Sequence, residues 1–231
     1  MTKLEVYVGT SGWSYDWNPD GLEWYAKNSG LNAVELNASF YRFPFKNMIR
    51  SWSKKGRGLR WAVKVHRSIT HVHRLNERSY QAMEKFLKLF EPMRELIDFY
   101  LVQLPPTFLR KKDNEERVEK FCKRFNVPLA FEFRHENWYN TPFLLDLPNY
   151  YLVSIDSPIG TWIIESKDVI YLRLHGRRFW YAHEYSEEEL EELAKAILRQ
   201  GPKKIYAFFN NDHWMLENAR LFMRMLKEYA I

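Results

Sequence analysis

Eight short apolar segments recur along the chain, and helical stretches separate most of them. Each segment has five to seven residues rich in β-branched, aromatic or other apolar side chains, and most end in polar residues, as buried strands do. The segments span residues 6–11, 33–37, 60–66, 99–104, 129–134, 150–156, 169–175 and 204–210. The clearest helical stretches span 79–96, 114–125, 186–199 and 213–229. Strands that alternate with helices form parallel sheets, and eight such units predict a single (β/α)8 TIM-type barrel that occupies residues 1–231 as one domain.

Successive side chains of a strand point to opposite faces, and here the two faces differ in polarity. The set that includes Val34 and Leu36 is apolar in nearly every strand and is expected to face the helices. The opposite set faces the barrel axis, and near the strand ends it consists of Ser11, Asn37, His66, Gln103, Arg134, Asp156, His175 and Asn210. One layer deeper it consists of Gly9, Glu35, Lys64, Leu101, Glu132, Ser154, Arg173 and Phe208. Buried charges are costly unless they are paired, so these layers predict a functional, polar, positively charged pocket at the C-terminal mouth of the strands.

The overall charge bounds the choice of partner. The chain has 35 Lys and Arg against 29 Asp and Glu, a net charge of +6, which permits an anionic small molecule or a nucleic acid as partner. One cysteine, Cys122, excludes an internal disulfide framework and a cysteine-based metal site. No apolar run approaches ~18 residues and no signal-peptide pattern opens the chain, so we expect a soluble cytoplasmic protein that does not bind membranes.

Seven segments at the predicted strand ends resemble the domain-of-unknown-function 72 (YecE-like) family, in order and over nearly the whole chain. They are GTSGWSY (9–15), VELNASFYRFP (34–44), AVKVHRSITH (62–71), QLPPTF (103–108), FEFRHENW (131–138), YLRLHGR (171–177) and FFNND (208–212). The resemblance implies a TIM-type barrel and a cytoplasmic location, and it brings no settled activity or set of catalytic residues. It also implies a pocket similar in shape to that of barrel endonucleases that bind abasic DNA. The segment after Asp156 is shorter than the family pattern, so a lid formed there in relatives is expected to be reduced.

The inward polar positions supply candidates for proton transfer and for substrate binding. Imidazoles and carboxylates can act as general acids and bases, so the catalytic candidates are Glu35, His66, Glu132, Asp156 and His175. The substrate-binding candidates are Ser11, Trp13, Asn37, Tyr41, Lys64, Gln103, Arg134, Trp138, Arg173 and Asn210. Arg134 and Arg173, together with His175, would hold an anion. Three further cations are interpreted as solvated rim charges: Arg67, Arg74 and Arg178.

Three assignments stay open between a functional and a structural interpretation. A divalent metal is possible but not favoured, because carboxylates are few and no HExxH-like spacing exists. Its ligands would be His66, Glu132, Asp156 and His175. Lys64 could form a Schiff base, although the acids expected beside it favour a protonated amine in an ion pair. Three rings either stack on bases or sugars or pack the loops over the barrel: Trp13, Tyr41 and Trp138.

Three functional hypotheses follow from this pocket. The first is an enzyme that acts on a phosphate-bearing substrate, with nucleic acid as a candidate, by hydrolytic or acid–base chemistry. The second is an isomerase or lyase of small sugar phosphates that uses Lys64. The third is a non-catalytic module that binds a ligand or a nucleic acid. Cleavage of DNA, a borohydride-trapped adduct at Lys64 and binding without turnover would distinguish them.

Overall fold

Strands and helices alternate along the computed structural model, which describes residues 4–229. Within these residues there are ten strands: β1 (Glu5–Ser11), β2 (Ala33–Leu36), β3 (Arg60–Lys64), β4 (Ile97–Gln103), β5 (Leu129–Glu132), β6 (Tyr150–Leu152), β7 (Ser154–Ser157), β8 (Gly160–Trp162), β9 (Val169–Leu174) and β10 (Lys204–Phe209). The same residues form seven α-helices: α1 (Gly21–Asn28), α2 (Ala38–Tyr41), α3 (Lys46–Lys55), α4 (Tyr80–Phe90), α5 (Lys112–Arg124), α6 (Glu187–Leu198) and α7 (Met215–Tyr229). Among the described residues, no helix combines the length and the apolarity needed to cross a membrane.

The α/β class predicted from the sequence is confirmed, while the number of strands differs. Each predicted strand is present, but the sixth is interrupted at Val153 and forms β6 and β7. The short segment after Asp156 contains β8, which pairs antiparallel with β7 as a hairpin. The predicted helix 79–96 is α4 followed by a 3-10 segment, Glu91–Leu96, since Pro92 has no N–H to continue an α-helix. The strict eight-stranded barrel predicted from the sequence is therefore not confirmed, because residues 4–229 contain ten strands.

The chain divides into two compact units, and the first unit comprises residues 1–35, 58–60 and 153–231. Its strands follow the order β8-β7-β9-β10-β1-β2, and all neighbours except β7 and β8 run parallel. All six residues of β9 are buried, as expected for a strand covered on both faces. Gly9 permits the close approach of β1 to β2, because a side chain there would come within 2.2 Å of the carbonyl oxygen of Ala33. Helices α6 and α7 pack against each other, and α7 packs along β1.

The second unit comprises residues 36–57 and 61–152. Its strands follow the order β3-β4-β5-β6 and pair in parallel. Aromatic rings fill much of its core: Phe86 contacts Phe90 at 4.8 Å between centroids, and Phe121 contacts Phe125 at the same distance. A π-helical turn, Ser68–Val72, follows β3 and carries the polar residues after that strand. The assignment of the whole chain to one domain stays a prediction.

Candidate functional site

A buried ion pair joins β2 and β9 in the first unit. Both oxygens of Glu35 accept from Arg173, from Nη2 at 2.6 Å and from Nε at 2.9 Å, and neither side chain is exposed. The hydroxyls of Ser11 and Tyr171 donate to the same carboxylate, each at 2.8 Å. Four hydrogen bonds occupy the acceptor positions of a carboxylate. This geometry gives Glu35 a structural role, while its role in proton transfer stays a prediction. Two of the three guanidinium nitrogens of Arg173 donate to this carboxylate.

The third nitrogen of Arg173 faces His175, two residues along β9. Nη1 of Arg173 lies 3.5 Å from Nε2 of His175, and the side-chain amide of Asn210 lies 3.2 Å from Nδ1. The two neighbouring atoms, Nη1 of Arg173 and Nδ2 of Asn210, are both donors, so the tautomer of the imidazole decides which of its ring nitrogens accepts. Predicted site residues Ser11, Glu35, Arg173, His175 and Asn210 thus form one connected network.

The loop after β9 encloses His175. The rings of Trp180 and Tyr181 lie 5.4 and 5.9 Å from the imidazole, and the backbone N–H of Tyr181 donates to the His175 carbonyl at 2.7 Å. The loop starts at Gly176, with φ +94°, where a side chain would come within 2.6 Å of Cβ of His183. His175 is fully buried under this loop. A proton-transfer role for His175 stays a prediction.

Asp156 anchors the same loop through a second network. Its carboxylate accepts from Nε of Arg177 at 3.1 Å, from Thr161 at 2.5 Å and from the Tyr185 hydroxyl at 2.6 Å. Burial raises the pKa of the Tyr185 phenol well above its ordinary value, and the negative charge of Asp156 adds to this shift, so the phenol stays a donor. Asp156 is fully buried with both oxygens engaged. Asp156 therefore holds the loop in place, and its role in proton transfer stays a prediction.

Four positive charges of the second unit act electrostatically on His71, and we call them the cationic cluster: Lys64, Arg67, Arg74 and Arg134. Nζ of Lys64 lies 4.3 Å above the ring of Phe40, and His71 contacts the edge of the same ring at 4.9 Å. Nε of Arg134 contacts Oε1 of Glu132, which is fully buried. Glu132 therefore orients one member of the cationic cluster.

The environment of His71 disfavours a positive charge on its imidazole. Burial lowers the pKa of His71 most, and the four charges of the cationic cluster lower it further, to about 4. The imidazole is therefore neutral near neutral pH and can accept a proton. It becomes a stronger base when an anion offsets the surrounding charges.

His71 also makes the stability of the fold depend on pH. Its pKa is about 4 in the folded chain against an ordinary value of 6.5, so the unfolded chain binds more protons between these values. The free energy of unfolding is therefore expected to fall as the pH is lowered from 7 to 4.5, with His71 contributing about 1–2 kcal/mol after solvent screening. Urea unfolding at both pH values should show a smaller difference for His71→Gln than for wild type. The control is His213→Gln, a change at an exposed histidine, which should keep the wild-type pH dependence. If His71→Gln also keeps that dependence, the lowered pKa of His71 would be contradicted.

His66 has both ring nitrogens engaged. Nδ1 accepts from the backbone N–H of Ser68 at 3.1 Å, so the proton lies on Nε2, and the ring donates to the carbonyl of Tyr41. Burial lowers the pKa of His66, and the charge of Arg67 lowers it further, although the hydrogen bond to Tyr41 opposes both. The imidazole is thus a neutral connector between β3 and the end of α2. A catalytic role for His66 stays a prediction.

The remaining predicted residues lie in different surroundings. Trp138 is fully buried, stacks on Phe133 at 3.9 Å and donates from Nε1 to the Phe108 carbonyl at 2.7 Å. It packs the core and offers no face for substrate stacking, which corrects that prediction. Tyr41 is 70% exposed at the end of α2. Gln103 ends β4 and is buried. Trp13 and Asn37 follow the ends of β1 and β2 and are half-buried.

The residues considered as ligands of a possible metal do not form a metal-binding group within residues 4–229. Among the described residues, no group of three or more His, Cys, Asp or Glu side chains is placed to hold a metal ion. The set considered from the sequence, namely His66, Glu132, Asp156 and His175, is not such a group. The ring nitrogens of His66 and the oxygens of Asp156 already have hydrogen-bond partners within the protein.

Sequence reasoning missed several contributors to these networks. Arg67 and Arg74 were assigned to the solvated rim, yet their charges act on His71, which the sequence places after the third strand as a candidate for an anion site but which was not counted among the catalytic candidates. The signal available was the run HRSITHVHR at 66–74, in which basic residues recur directly after a buried strand. Tyr171 was also missed, although it shares the inward parity of Arg173 and His175 on β9.

Comparisons with known proteins identify relatives over the full length of the chain. A family model described as "Protein of unknown function DUF72" matches residues 7–230. A DUF72 protein of Enterococcus faecalis V583 has 24% identity and a TM-score of 0.80, with 98% of this chain and 99% of that chain covered. A DUF72 protein of Thermotoga maritima MSB8 has 28% identity and a TM-score of 0.78, with 97% and 98% covered. A D-tagatose 3-epimerase-like protein shares the fold at 12% identity and a TM-score of 0.57, with 99% and 100% covered. No curated protein matches the chain.

Proposed function

This chain belongs to the DUF72 family, as its strand-end segments predicted, and we propose from its own residues that it is an enzyme acting on a phosphate-bearing substrate. Nucleic acid is the leading candidate for that substrate, and the chemistry is hydrolytic or acid–base. The cationic cluster binds the phosphate and His71 transfers the proton. An eight-unit barrel topology and a cytoplasmic location belong to the same proposal. The alternation of strands and helices supports the barrel topology.

Two observations carry this proposal: Lys64 and His71 both contact the ring of Phe40, and four positive charges act on the His71 imidazole. Like charges gathered around one half-buried side chain repel each other, and a bound anion relieves that repulsion. Arginine forks and an ammonium group are the donors that phosphate oxygens accept best. The contact between Arg134 and Glu132 fixes the direction of one guanidinium before the substrate arrives. The cluster therefore suits a phosphate group better than a neutral ligand.

His71 supplies the proton transfer that hydrolysis of a phosphate ester requires. Bound phosphate brings negative charge beside the imidazole, so its pKa rises from about 4 toward its ordinary range. The imidazole takes a proton from the attacking water as the new P–O bond forms. It returns that proton to the leaving oxygen as the old P–O bond breaks, so the side chain is unchanged after each turnover.

Salt-dependent binding and a gel assay test the proposal together. Labelled single-stranded, duplex and abasic DNA are incubated with the protein, with and without divalent metal, and cleavage is followed on denaturing gels. The double variant Arg67→Gln/Arg74→Gln is expected to bind single strands about 10- to 30-fold more weakly at 0.1 M salt, with a shallower salt dependence. Lys54→Gln/Lys55→Gln removes the same charge from the last turn of α3 and should leave binding unchanged.

Other outcomes select the competing hypotheses. If both double variants lose the same affinity for single strands, binding depends on net charge alone. That result would contradict phosphate binding by the cationic cluster. A borohydride-trapped adduct at Lys64 with an aldehyde-bearing sugar phosphate would replace the proposal by the isomerase or lyase hypothesis. Binding without turnover on any phosphate-bearing substrate would leave a non-catalytic module.

A further inference from the structure

The most exposed aromatic ring of the second unit lies beside the cationic cluster. Tyr41 is 70% exposed at the end of α2, and its ring stands edge-on to Phe40 with centroids 5.1 Å apart. The ring of Phe40 also lies under Nζ of Lys64 at 4.3 Å and against His71 at 4.9 Å. The half-buried ring of Phe40 thus connects the exposed tyrosine with Lys64 and His71, which the proposed function assigns to phosphate binding and proton transfer.

The position of Tyr41 is fixed before any ligand binds. Its carbonyl accepts from the His66 ring, which is itself held by Ser68. The edge contact with Phe40 restrains the phenol ring, which has few torsions to lose on binding. A rigid, exposed aromatic ring on a polar surface is suited to stacking with a flat partner.

We propose that Tyr41 is a stacking platform for an unpaired base of a single-stranded nucleic acid whose phosphates the cationic cluster binds. The inference rests on the proposed function and narrows its substrate. Every base offers a π face, and in a strand each base is followed by a phosphate. The centroid of the Phe40 ring lies 5.1 Å from that of Tyr41 and 4.3 Å from Nζ of Lys64. The exposed ring and the ammonium group are therefore close enough to contact a base and its neighbouring phosphate. Bases of an intact duplex are already stacked on each other, so the platform selects unpaired positions.

Removing the ring tests the platform. Fluorescence anisotropy measures binding of a labelled oligothymidine and of a strand of equal length that carries abasic residues throughout. Tyr41→Ala is expected to weaken binding of oligothymidine about 5- to 150-fold and to leave binding of the abasic strand unchanged. Tyr41→Phe keeps the ring and should bind both strands like wild type. Phe45→Ala removes an equally exposed ring, 69% accessible, and should also bind both strands like wild type.

The outcomes separate this inference from the proposed function. If Tyr41→Ala binds oligothymidine like wild type, or weakens both strands equally, the stacking platform is overturned while phosphate binding by the cationic cluster stands. If wild type binds neither strand but binds a small phosphorylated sugar through Arg67 and Arg74, the inference is overturned and the proposed function again stands. If wild type binds no phosphate-bearing ligand, both fall. Circular dichroism of each variant confirms that the comparison involves folded protein.

Discussion

Replacing Arg173 with methionine is expected to lower the free energy of unfolding by about 3–5 kcal/mol. The guanidinium donates two hydrogen bonds to Glu35, and both side chains are fully buried. Methionine fills a similar volume but provides neither the donors nor the charge. The Glu35 carboxylate would then stay buried with the hydroxyls of Ser11 and Tyr171 beside it, and without the opposite charge of Arg173. Urea unfolding at pH 7 measures the loss.

Two comparisons isolate the buried pair as the cause. Lys27→Met breaks an exposed pair on α1, 2.8 Å from Glu23, and is expected to cost less than about 1 kcal/mol because water already solvates both charges. The double variant Glu35→Gln/Arg173→Met should recover part of the loss, since no uncompensated charge remains and the amide can bond to both hydroxyls, with its oxygen accepting from one and its NH2 group donating to the other. A loss below about 1 kcal/mol for Arg173→Met alone would show that the carboxylate finds another partner.

The strands were predictable because a buried sheet imposes a period of two on the sequence. The parity that placed Glu35, Arg173 and His175 on one face of their strands is the parity the structure uses to connect them. Parity predicts only how far along the strand a side chain lies and which face of the sheet it points to. It could not predict which charged side chains form ion pairs. The sequence suggested Lys64 between two acids, whereas Glu35 pairs with Arg173, and Arg134 reaches Glu132 from two residues along the chain.

The loops were much less predictable, because tertiary contacts rather than periodicity determine their conformation. Trp138 follows β5 as a loop residue would, yet it is enclosed by Phe133 and Phe108. Tyr181 adopts φ +66°, a backbone region that bulky residues seldom occupy, while its N–H donates to the His175 carbonyl. Neither arrangement leaves a pattern in the sequence. The same is true of His66, whose role depends on where its two ring nitrogens find partners.

The structure also changes which acid–base groups are available for chemistry. Three predicted groups, namely Glu35, Asp156 and His66, have their hydrogen-bonding capacity taken up within the protein. A group that transfers protons must exchange them with a substrate, so saturated groups are poorly suited to the task. Burial lowers the pKa of His71 most and four positive charges lower it further, while Oγ1 of Thr70 lies 2.9 Å from its Nδ1. An anionic substrate offsets the effect of those charges, which couples substrate binding to proton uptake.

His71→Gln is therefore expected to lower kcat/KM on the phosphate-bearing substrate by about 10²- to 10⁴-fold. Glutamine has a comparable size and polarity but exchanges no proton near neutral pH, so the loss should fall mainly on kcat, with the dissociation constant changed less than about threefold. His213→Gln is the control, since His213 is exposed and contacts its chain neighbours Asp212 and Trp214.

The pH–rate profile distinguishes proton transfer from simple charge balance. Wild-type kcat should depend on a group whose apparent pKa lies above the value of about 4 that His71 has in the unliganded protein, because bound phosphate raises it. That dependence should disappear in His71→Gln together with the rate. If the variant keeps kcat and loses affinity instead, His71 belongs to the phosphate-binding surface. A different group would then have to move the proton, and His175, enclosed by Trp180 and Tyr181, would be the next residue to test in the same way.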